Sequence, residues 1–231
     1  MRWIMGYVVA ICLLLVIVSQ SIIFPSFHTP FFRWQFNRLN VAENIQIEKD
    51  ELMYVTSELL DYMRRNRSTM DGITAVVAGQ EREFFSEIEK RHMMDVQHLY
   101  SIAFMVRSIA FFLMIGLVLG MILLKPQVLY ILARCTREVM TGFLLIAAIV
   151  AGAVAFNFQR AFDVFHLMFF PYNNDWRLNP TTDLLINMVP TGFFIHISIF
   201  IGALMAGAAI LVILVSSIYL HRLPRTAHLK P

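Results

Sequence analysis

Four stretches of this chain are apolar almost without interruption, and they divide it. Trp3–Phe24, Ser101–Leu124, Glu138–Phe158 and Thr191–Leu220 are each long enough, at about 20 helical residues, to cross roughly 30 Å of hydrocarbon. The last exceeds the need and is expected to tilt or project. Between the first two the period changes. Over residues 45–67, Leu52, Val55, Leu59, Leu60 and Met63 form a helical stripe, with Asp50 as the expected N-cap. Arg64-Arg65-Asn66-Arg67 suits that helix's C-terminus, where cations are favoured. Met70-Asp71-Gly72 reads as a turn, Ile73–Val77 as a short strand ended by Gly79, and Glu81–His98 as a helix. After the third span, Ala161–Phe170 leads through Pro171–Asp175 to Trp176, which re-anchors the chain. Asn179 as N-cap with Pro180 at the first position predicts a short amphipathic helix carrying Asp183 in its first turn, with Pro190 ending it. The fold class that follows is mainly α: a polytopic membrane protein, four transmembrane helices with an extracytoplasmic cap of helices and a short strand.

Composition agrees. Of 231 residues, 58% are hydrophobic and 15% charged, with mean hydropathy +0.64, outside the soluble range. Charge sets the expected orientation. The segment 125–137 carries Lys125, Arg134 and Arg137 and no acid; the tail 221–231 carries Arg222, Arg225 and Lys230 and no acid. Both belong in the cytoplasm by the positive-inside rule, with both termini, which leaves 25–100 as an external cap and 159–190 as an external loop. The net charge of +3 then reflects orientation, and no nucleic-acid partner is implied. Residues 25–107 hold ten basic and twelve acidic positions, a mixed-charge surface too small to stand alone without disulfides. It should pack on the membrane helices.

Local signals refine this. Phe31, Phe32, Trp34 and Phe36 suit a headgroup layer, and His28 a solvated loop. The first span continues through Ile22–Phe24, longer than a signal-peptide core, and is expected to be a retained anchor. Cys12 and Cys135 should lie a membrane thickness apart and unpaired. Ala and Gly enrich the third span and permit close helix approach. Arg107, two turns into the second span, either meets a functional partner or snorkels to the outer interface. His196, one turn into the fourth, reads as a hydrogen-bonded core residue.

The candidate chemistry lies in two segments beside spans. Glu89, His92 and Asp95 recur at three-residue spacing, so one helix face sets an imidazole between two carboxylates. Asp163 stands three residues before His166, flanked by Phe162, Phe165, Phe169 and Phe170. Two imidazoles titrating near neutrality suit paired proton transfer, and a carboxylate on one ring nitrogen would fix the tautomer. A G-x-S-x-G elbow, an external cysteine and a Gly-rich phosphate loop are all lacking. Three readings stay open: direct acid/base transfer; a metal-dependent membrane hydrolase using His92, His166, Asp95 and Asp163 as ligands; and a non-enzymatic four-span scaffold that binds a partner through its cap. A further reading makes both histidines interfacial residues satisfied by neighbours.

The motifs also carry a resemblance. F-F-x-x-x-E-x-x-H-M-x-D-V from Phe84 to Val96, then F-x-x-F-H-x-x-F-F from Phe162 to Phe170, then W-x-x-x-P-x-x-D-x-L-I from Trp176 to Ile186, resemble the bacterial lipoprotein intramolecular transacylase (Lit) family. The later Pro190 with Phe193-Phe194 extends the likeness, and the layout of spans matches over most of the chain. The resemblance implies an acyltransferase of the bacterial cell membrane acting at the extracytoplasmic face on diacylated lipoproteins. It would move the sn-2 acyl chain of the S-diacylglyceryl cysteine to the α-amine, giving a lyso-form lipoprotein. The family's two functional histidines carry over to His92 and His166. Glu89, Asp95 and Asp163 are expected to orient them, and Arg107 and Arg160 to support the oxyanion. Trp176 and Asp183 are expected to contact substrate. No cofactor, metal or stable protein partner is expected; the other contacts are membrane lipids.

Overall fold

The structure, a computed structural model, describes residues 2–124 and 128–222; Lys125, Arg225 and Lys230, on which the expected orientation partly rests, lie outside them. In chain order the elements are α1 (Arg2–Ser26), α2 (Thr29–Arg38), α3 (Val41–Ile45), α4 (Lys49–Met63), β1 (Thr74–Val77), β2 (Gln80–Glu83), α5 (Glu87–Leu124), α6 (Val128–Phe156), α7 (Phe158–Phe169), α8 (Leu184–Met188) and α9 (Thr191–Arg222). The fold is mainly helical. Among the described residues, α1, α5, α6 and α9 are long and apolar enough to cross a membrane, with hydropathy between 2.4 and 2.7. The chain separates into two compact units.

The first unit takes in Met1–Ile22, Phe104–Phe156 and Ile201–Pro231. Its buried cluster joins Val9 and Ala10 of α1, Met121 of α5, and Val128, Ile131 and Cys135 of α6. Helix α6 begins at Val128, ten residues before the expected boundary, because Ile131 and Cys135 already pack inward. What reads as a basic cytoplasmic turn is therefore largely helix. Its polar residues pair off: Arg134 Nε donates to Glu138 at 3.0 Å one turn on, and the Tyr7 hydroxyl donates to Glu138 at 2.5 Å. The cysteines correct a second expectation. A Cβ on Gly6 would sit 2.9 Å from Cys135 Sγ, and Cys12 is six residues further along α1, about 9 Å of helical rise. Both are buried free thiols, nearer than a bilayer's thickness.

The second unit comprises Ile23–Ala103 and Asn157–Phe200. Pro30 opens α2, and Phe31, Phe32 and Phe36 are buried, with ring centroids 5.7, 5.1 and 6.3 Å from Phe193 at the start of α9. These rings are core, and only Trp34 of the cluster is exposed, because the helical period turns it away. His28 stacks on Phe24 at 5.0 Å. His196 meets Gln35 Oε1 at 2.8 Å, the core bond its position implied. Helix α4 buries the expected stripe, but Glu48 is its N-cap residue and Asp50 sits in the first turn. The arginines after it join segments: Arg64 donates to the Phe27 carbonyl, Arg65 to Ser101, and Arg67 to Glu58 and to the Thr69 and Asp71 carbonyls.

The strand at 74–77 pairs antiparallel with Gln80–Glu83, in the register Thr74↔Glu83 to Val77↔Gln80. Ala78 and Gly79 both have positive φ, 52° and 80°, the two-residue turn that matches strand twist. Residues 81–83 are thus strand, where the helical spacing predicted the start of a helix. The reversal brings the chain back to Phe84 and Phe85, both fully buried, and helix begins only at Glu87. The helix expected from Asn179 also starts later, at Leu184 with Asp183 as N-cap residue. Residues 179–182 form a turn instead, in which the Asn179 side chain accepts the Thr181 N–H and Asp183 accepts the Asn179 N–H at 2.7 Å.

Candidate active site

The polar first turns of α5, ahead of the apolar span, supply one wall. Ser86 and Glu89 form a reciprocal cap: the Ser86 N–H donates to Glu89 Oε2 at 2.6 Å, and the Ser86 hydroxyl lies 3.5 Å from the Glu89 nitrogen. Glu89 is 1% exposed, and its second oxygen accepts the Leu185 N–H of α8 at 2.5 Å. Burial pushes its carboxyl up from the usual range, opposed by those two N–H bonds. Lys90 reaches Asp71, Glu83 and Glu87 within 2.9 Å. Arg91 pairs with Asp175 at 2.9 Å. His92 follows, 8% exposed, with Nδ1 buried and unpartnered among the described residues. Burial, reinforced by His166 and opposed by Asp95 and Asp175, lowers its pKa to about 4, so the ring is neutral at pH 7.

Helix α7 supplies the other wall. Asn157 caps it by accepting the Arg160 N–H at 2.9 Å. Its one fully buried position is His166; Phe162, half-buried, packs beside it at 4.1 Å, while Val164, Phe165, Leu167, Met168 and Phe169 are exposed. His166 Nδ1 lies 2.8 Å from the Phe162 carbonyl oxygen. A carbonyl only accepts, so Nδ1 carries the hydrogen and a neutral ring keeps its lone pair on Nε2. Burial lowers this pKa too, with the Phe162 bond and Asp163 opposing.

The walls meet. The His92 and His166 ring centroids are 6.0 Å apart at 36°, and Phe170 lies 5.4 Å from His92 and 5.7 Å from His166. Trp176 stacks on His166 at 4.8 Å and 26°. The loop carrying it is tied to α5 twice, by Arg91–Asp175 and by Asn173 Nδ2 donating to Asp95 at 2.8 Å.

Several expectations are corrected. Among the described residues none of the three carboxylates hydrogen-bonds an imidazole: Glu89 is taken by backbone N–H groups, Asp95 by Asn173, and Asp163 by Gln159 at 3.2 Å. Three-residue spacing puts a pair on one helix face, but stronger or closer donors won each acid. Asp183 accepts from the Asn179 N–H and the Ser86 hydroxyl, a structural use. Arg160 is exposed. Arg107 belongs to the first unit, where it donates to Gln20 at 3.0 Å and lies over Phe104. Among the described residues no three His, Cys, Asp or Glu side chains gather as metal ligands. The sequence reading missed Asn173, Asp175 and Arg91 as the loop's ties; the Asn-Asn-Asp composition after Pro171 was the available signal.

Two buried imidazoles brought together on a helical protein with four membrane-length spans define a class: a membrane-integral protein with a paired-histidine candidate site. The family model of the lipoprotein intramolecular transacylase Lit matches residues 7–194, and the chain belongs to that family of acyltransferases. It is similar to the solved structure of the membrane-integral Lit of Bacillus cereus, determined in meso, at 21% identity and a TM-score of 0.73, with 96% of each chain covered. Two variants of that protein, with a histidine replaced by arginine or by alanine, align at 21% identity and TM-scores of 0.69 over 96% of this chain and 92% and 94% of theirs. At this identity the likeness speaks for the fold. No curated protein matches.

Proposed function

We propose that this enzyme moves the sn-2 acyl chain of an S-diacylglyceryl cysteine to that cysteine's own α-amino group, with His92 and His166 as the proton-handling pair. The observation that carries the reading is the 6.0 Å approach of two buried rings, one with its lone pair fixed on Nε2. The substrate's α-ammonium, with a pKa near 8, reaches the site as the free amine. Its nitrogen bonds to the sn-2 carbonyl carbon while His166 Nε2 takes a proton from it. As the tetrahedral centre collapses, the carbon–oxygen bond to glycerol breaks and that oxygen receives a proton from His92, a neutral ring that gives up its own proton as its other nitrogen takes the one His166 has gained. One proton leaves nitrogen and one joins oxygen, so the pair ends in balance. Donor and acceptor belong to one molecule, so proximity is supplied without a covalent acyl-enzyme. Asp95 acts on His92 by charge alone, and the exposed apolar side chains of α7 suit acyl tails.

The enzyme sits in the bacterial cytoplasmic membrane with its termini inside and this site outside, as the basic residues of the short segments direct. Mass spectrometry of N-terminal lipopeptides tests the chemistry. Cells making the wild-type chain yield N-acyl, S-monoacylglyceryl peptides, and His92→Ala or His166→Ala cells do not. Lyso product persisting in either variant would remove that histidine from the reaction.

A further inference from the structure

We propose that the indole N–H of Trp176 is the donor that holds the substrate's sn-2 carbonyl oxygen and the oxyanion it becomes, an inference that rests on the acyl-transfer reading above. Trp176 is 8% exposed, and its Nε1 is wholly buried with no acceptor among the described residues. An indole nitrogen can only donate, and buried donors are nearly always bonded, so this one is set for an acceptor that arrives.

Its surroundings say which acceptor. The indole lies within 26° of parallel to the His166 ring, at 4.8 Å. An N–H lies in the plane of its own ring, so this one runs alongside the imidazole and does not spend itself on its neighbour's face. The Arg177 guanidinium carbon is 4.8 Å from the indole centroid, placing positive charge on the ring that meets a developing anion. The loop is already fixed to α5 by Arg91–Asp175 and Asn173–Asp95, so the donor needs no rearrangement when charge develops. In the step itself, nitrogen bonds to the carbonyl carbon and the carbonyl π pair moves to oxygen, where the indole N–H holds it. The pair returns as glycerol's oxygen departs with the proton. The indole loses nothing.

The test uses the full chain in lipid nanodiscs with a synthetic S-diacylglyceryl-cysteinyl peptide. Trp176→Phe keeps an aromatic ring beside His166 and removes the donor together with part of the bicycle. Turnover should fall about 10²–10³-fold, far more than the modest drop in unfolding midpoint that the lost ring volume brings. Turnover within about threefold of wild type overturns the proposal. A second measurement does not depend on that variant folding. The indole ¹⁵N–H resonance of Trp176, identified by eliminating Trp3 and Trp34 with their Phe variants, should move downfield with a peptide whose sn-2 ester is an amide and stay put with the sn-2 ether. An equal response to both overturns it. A wild-type chain that converts no peptide overturns the underlying reading as well; conversion unaffected by Trp176→Phe overturns this one alone.

Discussion

The Glu89 carboxylate holds an N–H in the first turn of α8: Oε1 accepts from the Leu185 nitrogen at 2.5 Å, ninety-six residues away in sequence, while Oε2 caps α5 itself. Glu89→Ala leaves both N–H groups without an acceptor, at roughly 1–3 kcal/mol for each that stays buried. Glu89→Gln turns an amide NH₂ onto one of them. Both variants should unfold at lower temperature in detergent, Ala more than Gln. A Glu89→Gln protein that melts with wild type yet loses turnover would show the carboxylate acting on the reaction's protons.

Titration of His92 follows from its burial. Its folded pKa of about 4 lies below the unfolded 6.5, so between those values the unfolded chain binds a proton the folded chain refuses. Stability is therefore full above pH 6.5 and falls as pH drops through that window, by about 3 kcal/mol at its foot. Imidazole resonances assigned with His92→Gln should show this ring titrating near 4. A midpoint near 6.5 would contradict the buried, neutral ring.

The two aspartates should separate. Asp163 hydrogen-bonds Gln159 and reaches His166 by charge alone, so Asp163→Asn, which can keep the Gln159 bond, should lower the His166 midpoint and slow turnover only a few-fold. Asp95 anchors Asn173 and lends negative charge to His92, so Asp95→Asn should slow turnover further and lower the His92 midpoint. Equal losses in the two variants would return Asp163 to the site.

Gly6 has no room for a side chain. A Cβ there would meet Ile131 Cγ2 at 2.7 Å and Cys135 Sγ at 2.9 Å. Gly6→Ala should force α1 away from α6 and cost about 1–3 kcal/mol, seen as a lower unfolding midpoint with the His92 titration unchanged. An unshifted midpoint would mean that the helices part freely.

What the sequence disclosed was what depends on local pattern. The four spans are continuous apolar runs, so their existence needed nothing distant, although Val128 rather than Glu138 opens α6 because inward packing outweighs a basic composition. His92 and His166 stood out through the motifs around them. Their partners did not, since spacing reports which residues share a face and nothing about what arrives from elsewhere. The backbone N–H of Leu185 took Glu89, and Asn173 took Asp95. His166 found its partner one turn back, in the Phe162 carbonyl, which no side-chain pattern records. The strand at Gln80–Glu83 was hidden for a related reason: four exposed polar residues carry no periodicity, and only the positive φ at Ala78 and Gly79 turns them onto β1.

Three consecutive residues of α5 are each secured to a different neighbour: Glu89 to α8, Lys90 to the hairpin and the turn at Asp71, Arg91 to the loop at Asp175. His92 comes next, on a turn with little freedom to adjust. In the reaction proposed above, adaptation during an encounter would then fall to the visiting lipid, whose glyceryl linkage would have to fold its ester back on its amine. Clients with a limber stem before their first folded domain would be served fastest, and stiff ones left waiting.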